Sequence, residues 1–178
     1  MTMTKLIPYF IFLILTLSCY SRKIETQLEP NIIYSESSKM NIKENIHFYF
    51  SVENLDTFKE SIKIKATLHN TTSNSIYFLT STCFGEQYSL QYDKIKFELK
   101  PIIQCNASYP KIIEIKPNGQ HDFKAYFKYN GVIKKMYLGF DFYSVDRTFK
   151  LSNVSLNDIF SRTKDKKTVV WADEKTVK

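Results

Sequence analysis

Glycine is scarce in this sequence, and so are the motifs that depend on it. The 178 residues include 4 glycines and 5 prolines. The patterns G-x-x-x-x-G-K-[ST], G-x-G-x-x-G, G-x-S-x-G and H-E-x-x-H are all missing. Phosphate-binding loops need several glycines, because the backbone must approach the ligand closely. We therefore predict no catalytic residue, no cofactor and no metal site, and we expect the protein not to be an enzyme.

Histidine is also rare, and the three histidines are far apart in the sequence. His47, His69 and His121 each lie on or beside a predicted strand, where a solvated position is the default. Asp141 and Asp146 flank a predicted turn, and we interpret them as turn formers. Catalytic triads are defined by geometry rather than by spacing, so a cell-envelope hydrolase stays open as an alternative.

No apolar run is long enough for an ordinary membrane-spanning helix, which needs about 20 residues. The longest run, Leu6–Leu17, is interrupted by Pro8 and preceded by Lys5. A short apolar run behind a positive charge and ahead of a small residue is typical of a secretory signal peptide. We predict that residues 1–18 are this signal.

The end of the apolar run contains the first of three cysteines. Thr16-Leu17-Ser18-Cys19 resembles a relaxed bacterial lipobox. The resemblance implies cleavage before Cys19, acylation of that cysteine and a mature chain held at the membrane by its lipid anchor, since several acyl chains give durable attachment. A soluble secreted protein and an uncleaved anchor are the alternatives.

The charge and the predicted location limit the classes of partner that we expect. The 25 basic and 18 acidic side chains give a formal charge of +7, and the lysines are scattered rather than collected in a stripe. We therefore expect no nucleic-acid partner. In the lipoproteins that the Cys19 segment resembles, an acidic cluster after the cysteine often directs the protein to the outer face, and no such cluster follows Cys19. The resemblance therefore implies a lipid-anchored protein of the cell envelope, on the outer membrane and facing the periplasm. Its partner would be an envelope protein or a glycan.

The other two cysteines are Cys83 and Cys105. If Cys19 is acylated, these two remain in an oxidising compartment, and we predict that they form a disulfide. Closing the loop between them should stabilise the fold by about 3 kcal/mol in the chain-entropy model. A metal site is the alternative, but neither cysteine has a Cys or His partner at zinc-site spacing.

We interpret the polar stretch 19–43 as the lipidated cysteine and a tether. After it, the chain consists mainly of short segments rich in β-branched and aromatic residues. In SIKIKATLHN, apolar and polar residues alternate as in a half-buried strand. A short helix is predicted at 155–162 with Ser155 as its cap, and Lys164-Asp165-Lys166-Lys167 is interpreted as a hairpin tip. The predicted strands are NIHFYFSV, SIKIKATLHN, SIYFLTS, YSLQY, KIKFELK, KIIEIK, DFKAYFKYN, MYLGFDFYS and a last one in KTVVWADEKTV. This pattern predicts an all-β, antiparallel β-sandwich over residues 44–178.

The block from Ile62 to Tyr129 resembles a bacterial immunoglobulin-like domain family. The resemblance lies in ATLHNTTSNSIYFLTSTC, then QCNASYP, then IEIKPNGQHDF, with Asn118 as a departure within the turn. It implies an immunoglobulin-like sandwich and a noncatalytic binding or assembly module.

Aromatic residues are the remaining functional clue, with 12 Tyr, 14 Phe and 1 Trp. Most phenylalanines should lie in the core, whereas tyrosine combines apolar area with a hydroxyl group and suits a binding face. Ordinary strand packing is the alternative interpretation. A protease inhibitor that presents Phe84 to Gln104 is a further alternative function. The tyrosines considered for a binding face are Tyr88, Tyr92, Tyr109 and Tyr126.

Overall fold

The computed structural model describes residues 41–83, 85–101, 105–151 and 155–177. The predicted signal peptide, the predicted lipidation site Cys19 and most of the predicted tether lie outside this range. The helices are α1 (Ile42–Asn45), α2 (Gly85–Tyr88) and α3 (Leu156–Arg162), with a 3₁₀ turn at Lys164–Lys166. The strands are β1 (Ile46–Asp56), β2 (Ser61–Asn70), β3 (Ile76–Ser81), β4 (Leu90–Gln91), β5 (Phe97–Leu99), β6 (Pro110–Ile115), β7 (Gln120–Tyr129), β8 (Lys135–Met136), β9 (Gly139–Val145), β10 (Lys167–Trp171) and β11 (Lys175–Thr176).

Two antiparallel sheets form the sandwich, which confirms the predicted all-β fold class. The first sheet has the strand order β1-β2-β7-β5, and the second has the order β10-β9-β3-β6, with β4 also paired to β9. Strands β8 and β11 make a separate small ladder. Within the described residues, no helix is long and apolar enough to cross a membrane.

The core between the sheets follows the alternation in the sequence. In β2 the even-numbered apolar residues are buried, and Ile64, Ala66 and Leu68 have no exposed surface. Phe78 of the second sheet meets Phe140 and Phe142 at ring-centroid distances of 5.9 and 4.9 Å. Alternating strands place every second side chain on the same face, so a period-two sequence produces this core directly.

A smaller apolar cluster lies on the outer face of the second sheet. Leu79 and Val145 pack there against Ile159 of α3. Helix α3 begins as predicted, because the Ser155 Oγ accepts a hydrogen bond from the Asp158 N–H at 3.2 Å. Such a cap satisfies a backbone donor that has no partner within the helix. The second sheet is therefore covered on both faces near this helix.

Several of the segment predictions are wrong in detail; MYLGFDFYS is divided between β8 and β9, and KTVVWADEKTV between β10 and β11. Lys94–Lys96 is a turn rather than the start of a strand, and Ile95 is 88% exposed. The Asp93 carboxylate accepts hydrogen bonds from the backbone N–H groups of Ile95 and Lys96 at 2.9 and 3.3 Å, which holds the chain in a turn. In YSLQY, Tyr88 ends a helix and only Leu90–Gln91 forms a strand.

The segment Lys164–Lys167 is also not a hairpin tip. Its first three residues form a 3₁₀ turn that joins α3 to β10, and Lys167 is the first residue of β10. The turn at Asn118 is confirmed, and a second turn follows β2 at Asn70. Asn118 has a φ of 53°, and Asn70 Nδ2 donates to the carbonyls of Asn74 and Ile115 at 2.7 and 3.0 Å.

Candidate functional site

A disulfide joins Cys83 and Cys105, as predicted, and this overturns the metal alternative. The two Cα atoms are 6.0 Å apart, an ordinary separation for a disulfide. Cys83 lies in the turn that follows β3 and has a φ of 55°. Thr82 binds the other side of the loop, since its N–H donates to the Tyr109 carbonyl at 2.8 Å and its Oγ1 accepts from the Tyr109 N–H at 2.9 Å. The loop is therefore fixed to the end of β3 at several points.

The disulfide lines a cavity of about 660 Å³ on the outer face of the second sheet. We call this cavity the disulfide groove. Its residues come from β3, α2, β9, α3 and the loop around Cys105, so elements distant in sequence meet there. They are Ser81, Cys83, Gly85, Tyr88, Ser89, Pro101, Cys105, Asn106, Ser108, Asp141, Tyr143, Leu156 and Phe160. The volume is within the range of about 300–1,000 Å³ that is usual for small-molecule sites.

Asp141 is the buried acid of this groove and is 8% exposed. It lies in the middle of β9, so the interpretation of Asp141 as a turn residue is wrong. Its Oδ2 accepts hydrogen bonds from Gln91 Nε2 at 2.8 Å and from Lys167 Nζ at 3.1 Å. Its Oδ1 is enclosed and has no hydrogen-bond partner among the described residues. Since buried polar atoms are nearly always paired, an enclosed free acceptor marks this position as unusual.

Aromatic side chains also line this groove. Tyr88 is 64% exposed at the mouth of the groove, and the rings of Tyr143 and Phe160 are 4.8 Å apart in an edge-to-face arrangement. Burial is the main effect that raises the pKa of the Tyr143 hydroxyl above its ordinary value of 10.0; the charge of Lys167 opposes the rise and that of Asp141 adds to it. The Tyr143 hydroxyl is therefore neutral near pH 7.

The four tyrosines named from the sequence do not form one face. Tyr88 lines the disulfide groove, and Tyr109, just before β6, is 66% exposed. Tyr92 packs on Phe127 at 5.0 Å, and Tyr126 contacts Lys63 on the first sheet. Of these four tyrosines only Tyr88 belongs to the groove. The sequence analysis missed the role of Asp141, although a single acid between two phenylalanines was visible there.

A second groove of about 380 Å³ lies between the edge strands β1 and β10. We call it the edge groove. Its exposed aromatic residues are Trp171 and Tyr49, which are 62% and 39% exposed. The lining residues are Lys43, Ile46, His47, Phe48, Tyr49, Val169, Val170, Trp171 and Asp173.

The histidines are not brought together into one site. His47 and His69 are cross-strand partners in the first sheet, and His121 lies beneath α2 with its Nε2 3.4 Å from Glu86 Oε1. None of the three is among the residues that line the disulfide groove. Within the described part of the chain, no group of three or more His, Cys, Asp or Glu residues could hold a metal ion.

The inhibitor hypothesis concerns the segment between the two cysteines, Phe84 to Gln104. Phe84 and residues 102–104 lie outside the described range. The described remainder contributes β4 to the second sheet and β5 to the first. This part of the segment is therefore tied into both sheets.

Comparison with known proteins adds little to this geometry. No protein-family model matches the sequence, and no curated protein matches it. Among solved structures, a GH20 exo-β-N-acetylglucosaminidase from Vibrio harveyi in complex with N-acetylglucosamine aligns with a TM-score of 0.32 and 10% identity. The alignment covers 72% of this chain and 18% of that chain. An inactive mutant of the same enzyme aligns with a TM-score of 0.30 and 9% identity, with the same coverage. Similarity at this level carries no functional conclusion.

Proposed function

We propose that this protein is a noncatalytic binding module of the cell envelope that holds its ligand in the disulfide groove. The observation that carries the proposal is the construction of the groove around Asp141. A buried acid with fixed partners, aromatic walls and a disulfide-bonded rim is a pre-organised surface, and pre-organisation lowers the entropy cost of binding.

The residues around Asp141 support binding rather than turnover. Gln91 and Lys167 hold one oxygen of the carboxylate, and the histidines lie elsewhere. General acid–base catalysis requires a titrating group within hydrogen-bond reach of the reacting atoms. The cysteines that line the groove are joined to each other and supply no thiolate nucleophile. Asp141 is the titratable acid of this groove, and its hydrogen bonds from Gln91 and Lys167 hold it as a fixed acceptor, which a binding role uses directly.

The membrane attachment is part of the proposal and depends on the lipobox-like sequence at Cys19. An acylated cysteine would hold the sandwich at the membrane, with residues 20–43 as a tether between the lipid and the domain. The partner would then be an envelope protein or a glycan within reach of that tether. The immunoglobulin-like resemblance supports the same kind of role, since such domains are typically binding or assembly modules.

The test compares the full-length protein with Tyr88→Ala in retaining components of an envelope extract, separated beforehand into proteins and glycans. Tyr88 is exposed, so its truncation should leave the fold intact and remove contact area at the mouth of the groove. Phe58→Ala is the matched control, because Phe58 is 94% exposed in the turn between β1 and β2. We expect one component to bind the parent and the control, and to bind Tyr88→Ala at least about tenfold more weakly.

Two outcomes would contradict the proposal. Equal retention by the parent and by Tyr88→Ala would show that the disulfide groove is not the binding site. A retained component whose mass changes during incubation with the protein would show turnover, and the noncatalytic role would be wrong.

A further inference from the structure

The single tryptophan of the chain has one ring face covered by backbone and keeps most of its surface exposed. Trp171 ends β10 and is the cross-strand partner of Gly139 in β9. A Cβ atom at position 139 would lie 2.9–3.0 Å from three atoms of the six-membered indole ring. The indole therefore lies directly on the Gly139 backbone, and no other residue type would allow this contact without displacing the ring.

This arrangement leaves the indole 62% exposed. Large aromatic side chains gain free energy by burial, so an exposed indole whose orientation is fixed by its neighbour is a surface available to a partner. Because the ring is already held by Gly139, a ligand that stacks on it has little side-chain motion to restrict.

The other residues of the edge groove supply both hydrogen-bond donors and hydrogen-bond acceptors. His47 and Tyr49 project from β1 on the same face, because they are two residues apart in the strand. Lys43 and Asp173 are exposed at the rim and carry opposite charges. The groove therefore offers hydrogen-bond donors and acceptors around an aromatic surface, with formal charges that balance.

We infer that the edge groove binds an uncharged saccharide, with one sugar ring stacked on Trp171 and its hydroxyl groups bonded to the polar rim. A sugar ring has an apolar face of C–H groups and an edge of hydroxyls that both donate and accept, and this matches an indole surrounded by Lys43, His47, Tyr49 and Asp173. The balanced charges favour a neutral ligand over a strongly anionic or cationic one. The volume of about 380 Å³ is near the lower end of small-molecule sites and fits one or two sugar units better than a folded partner.

This inference goes beyond the proposed function, because it assigns a second site with its own ligand class. None of the residues that line the edge groove lines the disulfide groove. Either site can bind its ligand if the other does not.

The presence of 1 Trp in the chain makes the test direct, since all tryptophan fluorescence reports on this site. The full-length protein is titrated with four neutral probes, the tetrasaccharides of glucose, mannose, galactose and N-acetylglucosamine. We expect at least one to shift the emission and to give a dissociation constant that calorimetry reproduces. No spectral change with any of the four at millimolar concentration would overturn the inference.

Variants then locate the site by calorimetry. Trp171→Leu keeps apolar volume without a ring and should weaken saccharide binding at least about tenfold. Gly139→Ala keeps the tryptophan but lifts the indole, and should also weaken binding while shifting the emission of the free protein. Phe58→Ala and Tyr88→Ala should bind as the parent does. Unchanged affinity in Trp171→Leu, or binding of an extended peptide in place of every saccharide, would refute the assignment.

Loss of folding is distinguished from loss of the site by far-ultraviolet circular dichroism of each variant. Tyr88→Ala also separates the two proposals. If it binds saccharide normally and loses the envelope component, the two grooves act independently. If Trp171→Leu loses both ligands while Tyr88→Ala loses neither, the disulfide groove is not the primary site and the edge groove is.

Discussion

Removing the charge of Asp141 should lower the free energy of unfolding more than removing the charge of an exposed aspartate, because Asp141 would lose its partly buried ion pair with Lys167. Asp141 Oδ2 and Lys167 Nζ are 3.1 Å apart, and the side chains are 11% and 36% exposed. At an effective dielectric constant of about 20, the Coulomb attraction at this distance is about 5 kcal/mol. The desolvation of the carboxylate and the partial exposure of the lysine offset most of this energy. We therefore expect a net coupling of about 1–2 kcal/mol.

The assay is a double-mutant cycle with Asp141→Asn and Lys167→Met. Asparagine keeps the shape and an oxygen acceptor for Gln91, and methionine keeps the apolar stem of lysine. Urea unfolding is followed by the fluorescence of Trp171 and by circular dichroism, and an unchanged dependence on urea indicates that the unfolded state is not altered.

The chain offers a matched control pair on the first sheet. Lys65 Nζ and Asp122 Oδ2 are 2.8 Å apart, but both side chains are 43% exposed. The same cycle with Asp122→Asn and Lys65→Met should give about 0.2–1 kcal/mol, as is usual for exposed pairs. A coupling at Asp141 no larger than that of the control would refute the view that burial strengthens this ion pair and fixes the floor of the groove.

Two further predictions concern acid stability and membrane attachment. Burial disfavours the Glu86 carboxylate, but His121, whose Nε2 is 3.4 Å from Glu86 Oε1, a backbone hydrogen bond and nearby positive charges together hold its pKa below the ordinary 4.5. The ionised Glu86 carboxylate should therefore add stability to the fold above pH 4.5, and this contribution should disappear as pH falls through the lowered pKa. Unfolding curves between pH 3 and 6 should show a smaller acid loss in Glu86→Gln, and parallel profiles would contradict the assignment. The intact mass of the protein purified from native membranes should show the loss of residues 1–18 and added acyl chains on Cys19. Reduction of Cys83–Cys105 should add the mass of two hydrogens. An unacylated mass would refute the tether.

Much of the fold could be predicted from local pattern. The strand β2 was predicted with its observed bounds, because alternation over ten residues leaves one consistent register for burial. The Ser155 cap and the Asn118 turn were also readable, since each depends on the chemistry of a few consecutive residues. Ile95 shows the limit of this approach, because the Asp93 side chain competes for the same backbone and converts a regular alternation into a turn.

The candidate sites were much less accessible to sequence reasoning. Asp141 resembled a turn residue because aspartate is common in turns, whereas its partners come from β4 and β10. Tyr88 was one of four tyrosines considered for a binding face, and it is 64% exposed, but the sequence did not show that it lines the same groove as Leu156 and Phe160 of α3. The disulfide was predicted from the number of cysteines, and the groove that it lines was not.

The sequence by itself determined the fold class, the strand alternation, the local caps and the pairing of the two cysteines. These features depend on residue type and on spacing along the chain, where side-chain direction repeats every second residue. Only the tertiary structure decided that Trp171 lies on Gly139 and that Asp141 lies between Gln91 and Lys167. Those contacts join strands far apart in sequence, and their register is set by the packing of the whole sandwich rather than by any neighbouring residue.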